Sequence, residues 1–165
     1  MIVIGIDPGL TGAVAVMDHQ GVRAVADLPV MQVPGSSKDA MVQKKIDAYG
    51  LCQLLLKHCP AGEGKPMVII EQVHARSGAG TVQSQGSLMR SLGAIESVLE
   101  CLRIPVRYVA PQTWKRRFGL KSEKSQSLET ARRLHPEAAA DLKRVKDHNR
   151  AEAVLLAHYG RMEVA

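Results

Sequence analysis

Two carboxylates stand directly behind apolar runs. Asp7 closes Met1-Ile2-Val3-Ile4-Gly5-Ile6, and Glu71 closes Met67-Val68-Ile69-Ile70. A carboxylate at the end of a buried strand loses solvation and needs a donor or a cation in compensation, and two such groups side by side repel. A divalent ion removes both conflicts, and Mg²⁺ favours a few carboxylate oxygens completed by waters and substrate phosphate. Paired ions activate a water and stabilise the leaving oxygen in an in-line attack on a phosphodiester. Such a site needs three or four ligands, and Asp147-His148-Asn149-Arg150-Ala151-Glu152 offers the remainder. His148 and Glu152, four apart, share a face of a helix. Taken singly, Asp7 reads as a cap on the Pro8-Gly9 turn, Glu71 as a partner for Arg76, Asp147 as a helix N-cap and His148 as a surface histidine. Taken together these readings weaken, because the last helix carries an acid where a purely amphipathic helix places Ala or Leu.

The elements that must hold these groups follow from periodicity. Residues 1–7 read as a buried strand, 12–17 as its hairpin partner and 22–28 as a third strand, giving an antiparallel meander. Met31 to Lys38 reads as a polar loop. Ile46 to His58 repeats apolar residues at helical spacing, Met67 to Ile70 and Val106 to Val109 are further strands, and Leu88 to Leu102 is a helix. The Gly- and Ser-rich segment Ser77 to Gln85 reads as a mobile loop. The last third is helical, broken at Gly119, at His135-Pro136 and around Asp147, and it ends in the apolar helix Ala151 to Tyr159. The expected fold is one α/β domain over 1–165, a mixed sheet flanked by helices, with Asp7 and Glu71 at the carboxyl ends of strands, where such sheets bind ligands.

Composition narrows the partner. With 45% hydrophobic and 23% charged residues, the 165-residue chain can bury a core without metal staples or disulfides. Cys52, Cys59 and Cys101 lack CxxC spacing and lie in apolar helical patterns, so buried or half-buried reduced thiols are expected. No apolar stretch reaches the roughly 18 to 20 residues needed to span a bilayer, and residues 1–7 lack a signal peptide's basic region. A cytoplasmic location is expected, at the nucleoid or in the host cytoplasm if the protein is viral. The formal net charge is +6, and all of it falls between Lys115 and Arg150, with eleven Lys and Arg against five Asp and Glu. A polyanion is the expected partner of this stretch, an inert solvated helical surface the alternative.

Five motifs in order carry a resemblance: Ile4-Gly5-Ile6-Asp7-Pro8-Gly9-Leu10-Thr11-Gly12, Ile69-Ile70-Glu71-Gln72-Val73, Ala110-Pro111-Gln112-Thr113-Trp114-Lys115, Glu123-Lys124-Ser125-Gln126 and Arg150-Ala151-Glu152-Ala153. On these the chain resembles the RuvC-type Holliday junction resolvases, a branch of the RNase H-like nuclease fold, over most of its length. Actin-like ATPases open with a similar Asp-x-Gly hairpin, but they need two such domains, which 165 residues cannot hold. The resemblance implies an RNase H-like sheet of five strands, three antiparallel and then parallel. It implies a homodimer that binds four-way DNA junctions and nicks two opposing strands symmetrically, with two Mg²⁺ per site and Mn²⁺ able to substitute, leaving 5′-phosphate and 3′-hydroxyl ends.

By the same resemblance Asp7 and Glu71 are metal ligands, Glu152 is the closing acid, and Lys115 and Lys124 are basic residues near the scissile phosphate. The family's two late ligands lie three or four positions apart on one helix, and counting back from Glu152 reaches Asn149 or His148. Asp147 is five back, roughly 140° round the helical wheel. His148 is therefore the favoured fourth ligand, and Asp147 is the alternative if it caps the helix and turns inward. Where bacterial members often carry a junction-wedging aromatic residue, three beyond the second acid, this chain has His74. His74, Arg76 and the segment Ser77 to Gly80 are candidates for junction contact, and Lys115, Arg116, Arg117, Lys121 and Lys124 for the DNA backbone. The Leu88 to Leu102 helix is the candidate dimer face. Two other readings stay open: a non-catalytic module that binds branched nucleic acid on the same fold, and a ribonuclease H-like or debranching nuclease.

Overall fold

The computed structural model describes residues 1–35, 44–73, 81–121 and 124–164. In chain order the strands are β1 (Val3–Asp7), β2 (Ala13–Met17), β3 (Val22–Asp27), β4 (Val30–Gln32), β5 (Lys44–Ile46), β6 (Met67–Glu71) and β7 (Val106–Val109). The helices are α1 (Ala48–His58), α2 (Val82–Cys101), α3 (Pro111–Arg117), α4 (Lys124–Leu134) and α5 (His148–Val164), with 3₁₀ turns at Pro136–Asp141 and Val145–Asp147. Five strands form one sheet in the order β3-β2-β1-β6-β7, in which β1, β2 and β3 are antiparallel neighbours and β6 and β7 run parallel to β1. This is the mixed sheet expected from the apolar runs.

Alternation along the central strands sorts the two cores. Ile2, Ile4, Ile6, Val68 and Ile70 face one side and pack with Leu51 and Leu55 of α1 and Ile95 and Leu99 of α2. Val3 and Ile69 face the other side and pack with Trp114 of α3, Leu128 of α4 and Val154 and Leu155 of α5. One step along the alternation, Asp7 and Glu71 fall on the α5 side. That helix lies so close to the sheet that two of the facing positions have no room for a Cβ. A Cβ added at Gly5 would stand 2.1 Å from the Ala153 carbonyl oxygen, and one at Gly160 would stand 2.5 Å from Ile69 Cγ1. The small residues of α5 thus set its height above β1, and with it the position of Glu152.

Several expectations need correction. Residues 30–32 belong not to a loop but to a small sheet, in which β4 pairs antiparallel with β5. Helix α1 begins at Ala48 because the Asp47 carboxylate caps it, accepting from the Gly50 N–H at 3.0 Å. Helix α2 begins at Val82, well before Leu88, and Thr81 caps it by accepting from the Ser84 N–H. Helix α5 begins at His148 and outlasts Tyr159. All three cysteines are free thiols, but Cys101 is exposed, since it ends α2 on the solvent side. Among the described residues no helix is long and apolar enough to cross a membrane.

Candidate active site

The carboxyl edge of the sheet assembles the site. Register pairs Gly5 with Ile69 and Ile6 with Ile70 in adjacent parallel strands, so the next residues along, Asp7 and Glu71, come level at that edge. Glu71 also pairs with Val109 of β7. Two residues later Pro111 opens α3, its fixed φ suiting the first helical turn. The short helix sends Trp114 into the core beneath the edge, where its Nε1–H donates to Glu71 Oε2 at 2.8 Å. From the facing helices, Glu152 of α5 accepts from the Ser127 hydroxyl of α4 at 3.2 Å, and Lys115 Nζ lies 3.2 Å from the same oxygen. That ammonium also stands 5.1 Å from the Trp114 ring centroid.

Charge in this cluster is incompletely balanced. Burial lifts the Glu71 carboxyl above its ordinary value; the Trp114 N–H and the Lys115 ammonium pull it down, and the negative charge of Glu152 pushes it up. Two hydrogen-bond donors and one cation therefore serve two carboxylates, with Asp7 closing the neighbouring strand. Among the described residues, no three His, Cys, Asp or Glu side chains stand close enough together to hold a metal ion. The donor chemistry nevertheless suits a hard, oxygen-seeking cation: Mg²⁺ is bound through one or two carboxylates and completed by waters and phosphate, without an all-protein cage.

The remaining sequence candidates separate. Asp147 is buried in the 3₁₀ turn before α5, and its carboxylate accepts from the Arg144 N–H at 2.7 Å and from that residue's Nε and Nη2 at 2.9 and 2.7 Å. The Arg144 guanidinium and backbone bond hold it below the usual carboxylate range. Its oxygens are engaged in ending one turn and starting the next. His148 opens α5 one turn before Glu152 and lines a cavity with Leu10 and Thr11 of the β1–β2 turn. Beside it the Asn149 side-chain amide donates to the Thr11 carbonyl, tying the start of α5 to the turn that follows Asp7.

Arg116 and Lys121 are exposed and, with Lys115, line an open cavity of about 730 Å³ beside α3; Arg117 is exposed on the same helix. Lys124 is the first residue of α4. His74 and Arg76 lie outside the described residues. Three cations in the basic stretch are engaged with the protein itself: Arg132 donates to the Leu142 carbonyl, Arg144, though exposed, clasps Asp147, and Arg150 makes a two-pronged bond to Asp27 at 2.6 and 2.9 Å. The surface open to a polyanion is thus concentrated nearer α3 than the sequence total suggests. Sequence reasoning missed two supporting residues. Trp114 stands in one of the motifs with no role assigned to it, although a buried indole N–H demands an acceptor and so signals one nearby. Ser127 carries no signal in its polar helix.

No protein-family model matches this sequence, and neither does any curated protein. Solved structures do resemble it. Thermus thermophilus RuvC in complex with Holliday junction substrate superposes with a TM-score of 0.59 at 16% identity, covering 98% of this chain and 96% of that one. Thermus thermophilus RuvC in another structure gives 0.56 at 19% identity, over 99% and 97% of the two chains. The yeast mitochondrial Holliday junction resolvase Ydc2 gives 0.50 at 16% identity, over 94% of this chain and 75% of that one. The likeness is one of fold, and it runs the length of the chain.

Proposed function

We propose that this chain is a divalent-metal-dependent endonuclease that resolves four-way DNA junctions by paired, symmetric nicks, acting as a homodimer in DNA recombination and repair. The observation that carries the reading is that strand register brings Asp7 and Glu71 level at the sheet's carboxyl edge, while neighbouring residues of α3 tie this edge to α5, Trp114 donating to Glu71 and Lys115 lying against Glu152. The shared fold adds to it, since one solved relative of that fold holds a Holliday junction substrate.

Asp7 and Glu71 are the groups that would hold Mg²⁺, or Mn²⁺ in its place, two ions to a site, with Glu152 and His148, four apart on α5, as the groups that would complete the set when metal binds. A bound divalent ion supplies a polarised phosphoryl oxygen and a water made acidic enough to attack at neutral pH. Trp114 fixes the rotamer of Glu71 by its hydrogen bond, so this carboxylate is aimed before substrate arrives. Ser127 does the same for Glu152. Lys115 is close enough to exchange Glu152 for a phosphate oxygen, where its charge stabilises the negative charge that builds in phosphoryl transfer. Arg116, Arg117, Lys121 and Lys124 bind the backbone flanking the cut.

The test is nicking of a synthetic four-way junction by wild type and Asp7→Asn, with Mg²⁺ and with EDTA. Paired nicks at symmetric positions, lost in both controls, are expected. Tight junction binding with no cleavage under any divalent ion would transfer the chain to the non-catalytic reading, and equal cutting of an RNA–DNA hybrid to the ribonuclease H reading.

A further inference from the structure

Outside residues 115–150 the chain carries as many acids as bases, and no second basic surface is expected there. The fold makes one. Strand β5 brings Lys44 and Lys45 beside Arg90 of α2, and the three line a groove of about 230 Å³ together with Ser87 and Ser91, over a floor that includes Ile46 and Ala94. Among the described residues no acidic side chain lines it. Among the described residues none of the three cations is paired with a carboxylate. Three like charges around one groove repel, and a bound anion relieves that repulsion.

The groove is also built on firm ground. Ile46 is buried in the core shared with α1 and α2, Lys45 is half-buried and Lys44 is exposed. Pairing with β4 and a bond from the Asp47 N–H to the Pro29 carbonyl at 2.8 Å hold β5 in register. Within α2, the Ser91 hydroxyl turns back to the Ser87 carbonyl at 2.9 Å.

Its place relative to the carboxylates matters most. Leu88, next to Ser87 on α2, lies 3.6 Å from where a Cβ would stand on Gly9, two residues beyond Asp7. The groove therefore begins beside the loop that leaves β1, on the α1–α2 side of the sheet, while Lys115, Arg116 and Lys121 lie on the α3–α5 side. Two basic surfaces flank the catalytic edge on opposite faces. A duplex is stiff over about 150 base pairs, so a straight one that follows one face does not bend round the edge to reach the other without a cost in deformation. Arms that diverge at a branch point meet both surfaces without that bend.

Resting on the junction-nuclease reading above, we infer that Lys44, Lys45 and Arg90 form a second backbone subsite. It holds a DNA arm other than the one lying along α3, and it sets the preference for branched over linear DNA. Each phosphate neutralised releases condensed counterions and contributes about 0.9 to the salt slope of affinity. The test compares wild type with the triple variant Lys44→Gln, Lys45→Gln, Arg90→Gln in titrations of a four-way junction and of a linear duplex of equal length, across a salt series. Circular dichroism melting of both proteins checks that the variant is folded.

The expected result is a junction Kd weakened about tenfold or more, a junction salt slope reduced by about 2 to 3, and a duplex Kd changed less than about twofold. Unchanged junction binding in the triple variant, while wild type still prefers the junction, would overturn the subsite and leave the nuclease reading standing. Equal weakening on junction and duplex would also overturn it, because the groove would then be a general basic surface. If wild type itself binds both DNAs alike, the junction reading fails and the subsite fails with it.

Discussion

The Lys115 ammonium lies 3.2 Å from the Glu152 carboxylate, and the preceding residue, Trp114, donates to Glu71. Adjacent residues of one short helix thus touch carboxylates from a strand and from the last helix. Helix α3 couples β6 to α5 across the site, and Lys115 is the cation that offsets two acids brought close together.

Lys115→Met keeps the aliphatic stem and removes the charge. Single-turnover nicking is expected to fall by about 100-fold or more, the usual loss when one preorganised charge is taken from a transition state. Junction binding, shared among many phosphate contacts, should weaken by less than about tenfold. Nicking within a few-fold of wild type would show that the ammonium only screens Glu152.

The height of α5 above β1 depends on Gly5 and Gly160. In Gly5→Ala the new methyl meets backbone, the Ala153 carbonyl oxygen and the Ala157 nitrogen, so the helix must lift; the cost should be about 3 kcal/mol or more. In Gly160→Ala the methyl meets the side chains of Ile69 and Val3, which can turn aside in part, and about 1 to 3 kcal/mol is expected. Urea unfolding measures both. The folded fraction of either variant should nick more slowly, because Glu152 rides on α5; wild-type stability in both would refute the close packing.

What the sequence revealed and what it hid follows from how each residue signals. Asp7 and Glu71 were legible because each breaks an apolar run at its end, and β1, β2 and β6 because those runs are buried. Strands β4 and β5 were not, since three residues with exposed Val30, Met31, Gln32 and Lys44 give no alternation to read. The first turn of α2 is polar and exposed, and only Thr81 announces it. Lys44, Lys45 and Arg90 are distant in sequence and balanced by acids elsewhere, so no charge count finds them. The pairing of Arg150 with Asp27 is a tertiary fact, invisible to a tally of basic residues.

Asp147 and His148 are neighbours with different work. Asp147 is buried and bound by Arg144, so Asp147→Ala removes a cap and strands a guanidinium, at a cost of about 1 to 3 kcal/mol in urea unfolding. Assayed well below its melting temperature, that variant should still nick. His148→Ala should show the opposite pattern, near-normal stability and junction binding with nicking lost. Loss of nicking in folded Asp147→Ala, with full activity in His148→Ala, would exchange the two roles.

Further along α5 from Glu152, His158 belongs to a second chain of polar groups, which bears on acid stability. Glu137 Oε1 stands 3.0 Å from His135 Nδ1, and His135 Nε2 stands 2.8 Å from His158 Nδ1. Burial, aided by the positive charge of His135 and Arg161, pushes the His158 imidazole down to about 4. An unfolded histidine titrates near 6.5. Between those values the unfolded chain takes up a proton that the folded chain refuses, so His158 leaves stability intact above about pH 6.5 and erodes it as pH falls toward about 4. With half the ring's surroundings open to solvent, the loss should be about 1 to 2 kcal/mol. Asp18, Asp27 and Asp147 are held below the usual carboxylate range by Arg23, Arg150 and Arg144. Their contributions are present above the unfolded carboxylate pKa and vanish only at lower pH, which leaves the histidine window to be read separately. His158→Gln keeps a donor for His135 and cannot titrate. Urea unfolding at about pH 7.5, 5.5 and 4.5 should show wild type losing stability relative to this variant, and parallel behaviour of the two proteins across that range would refute the assignment.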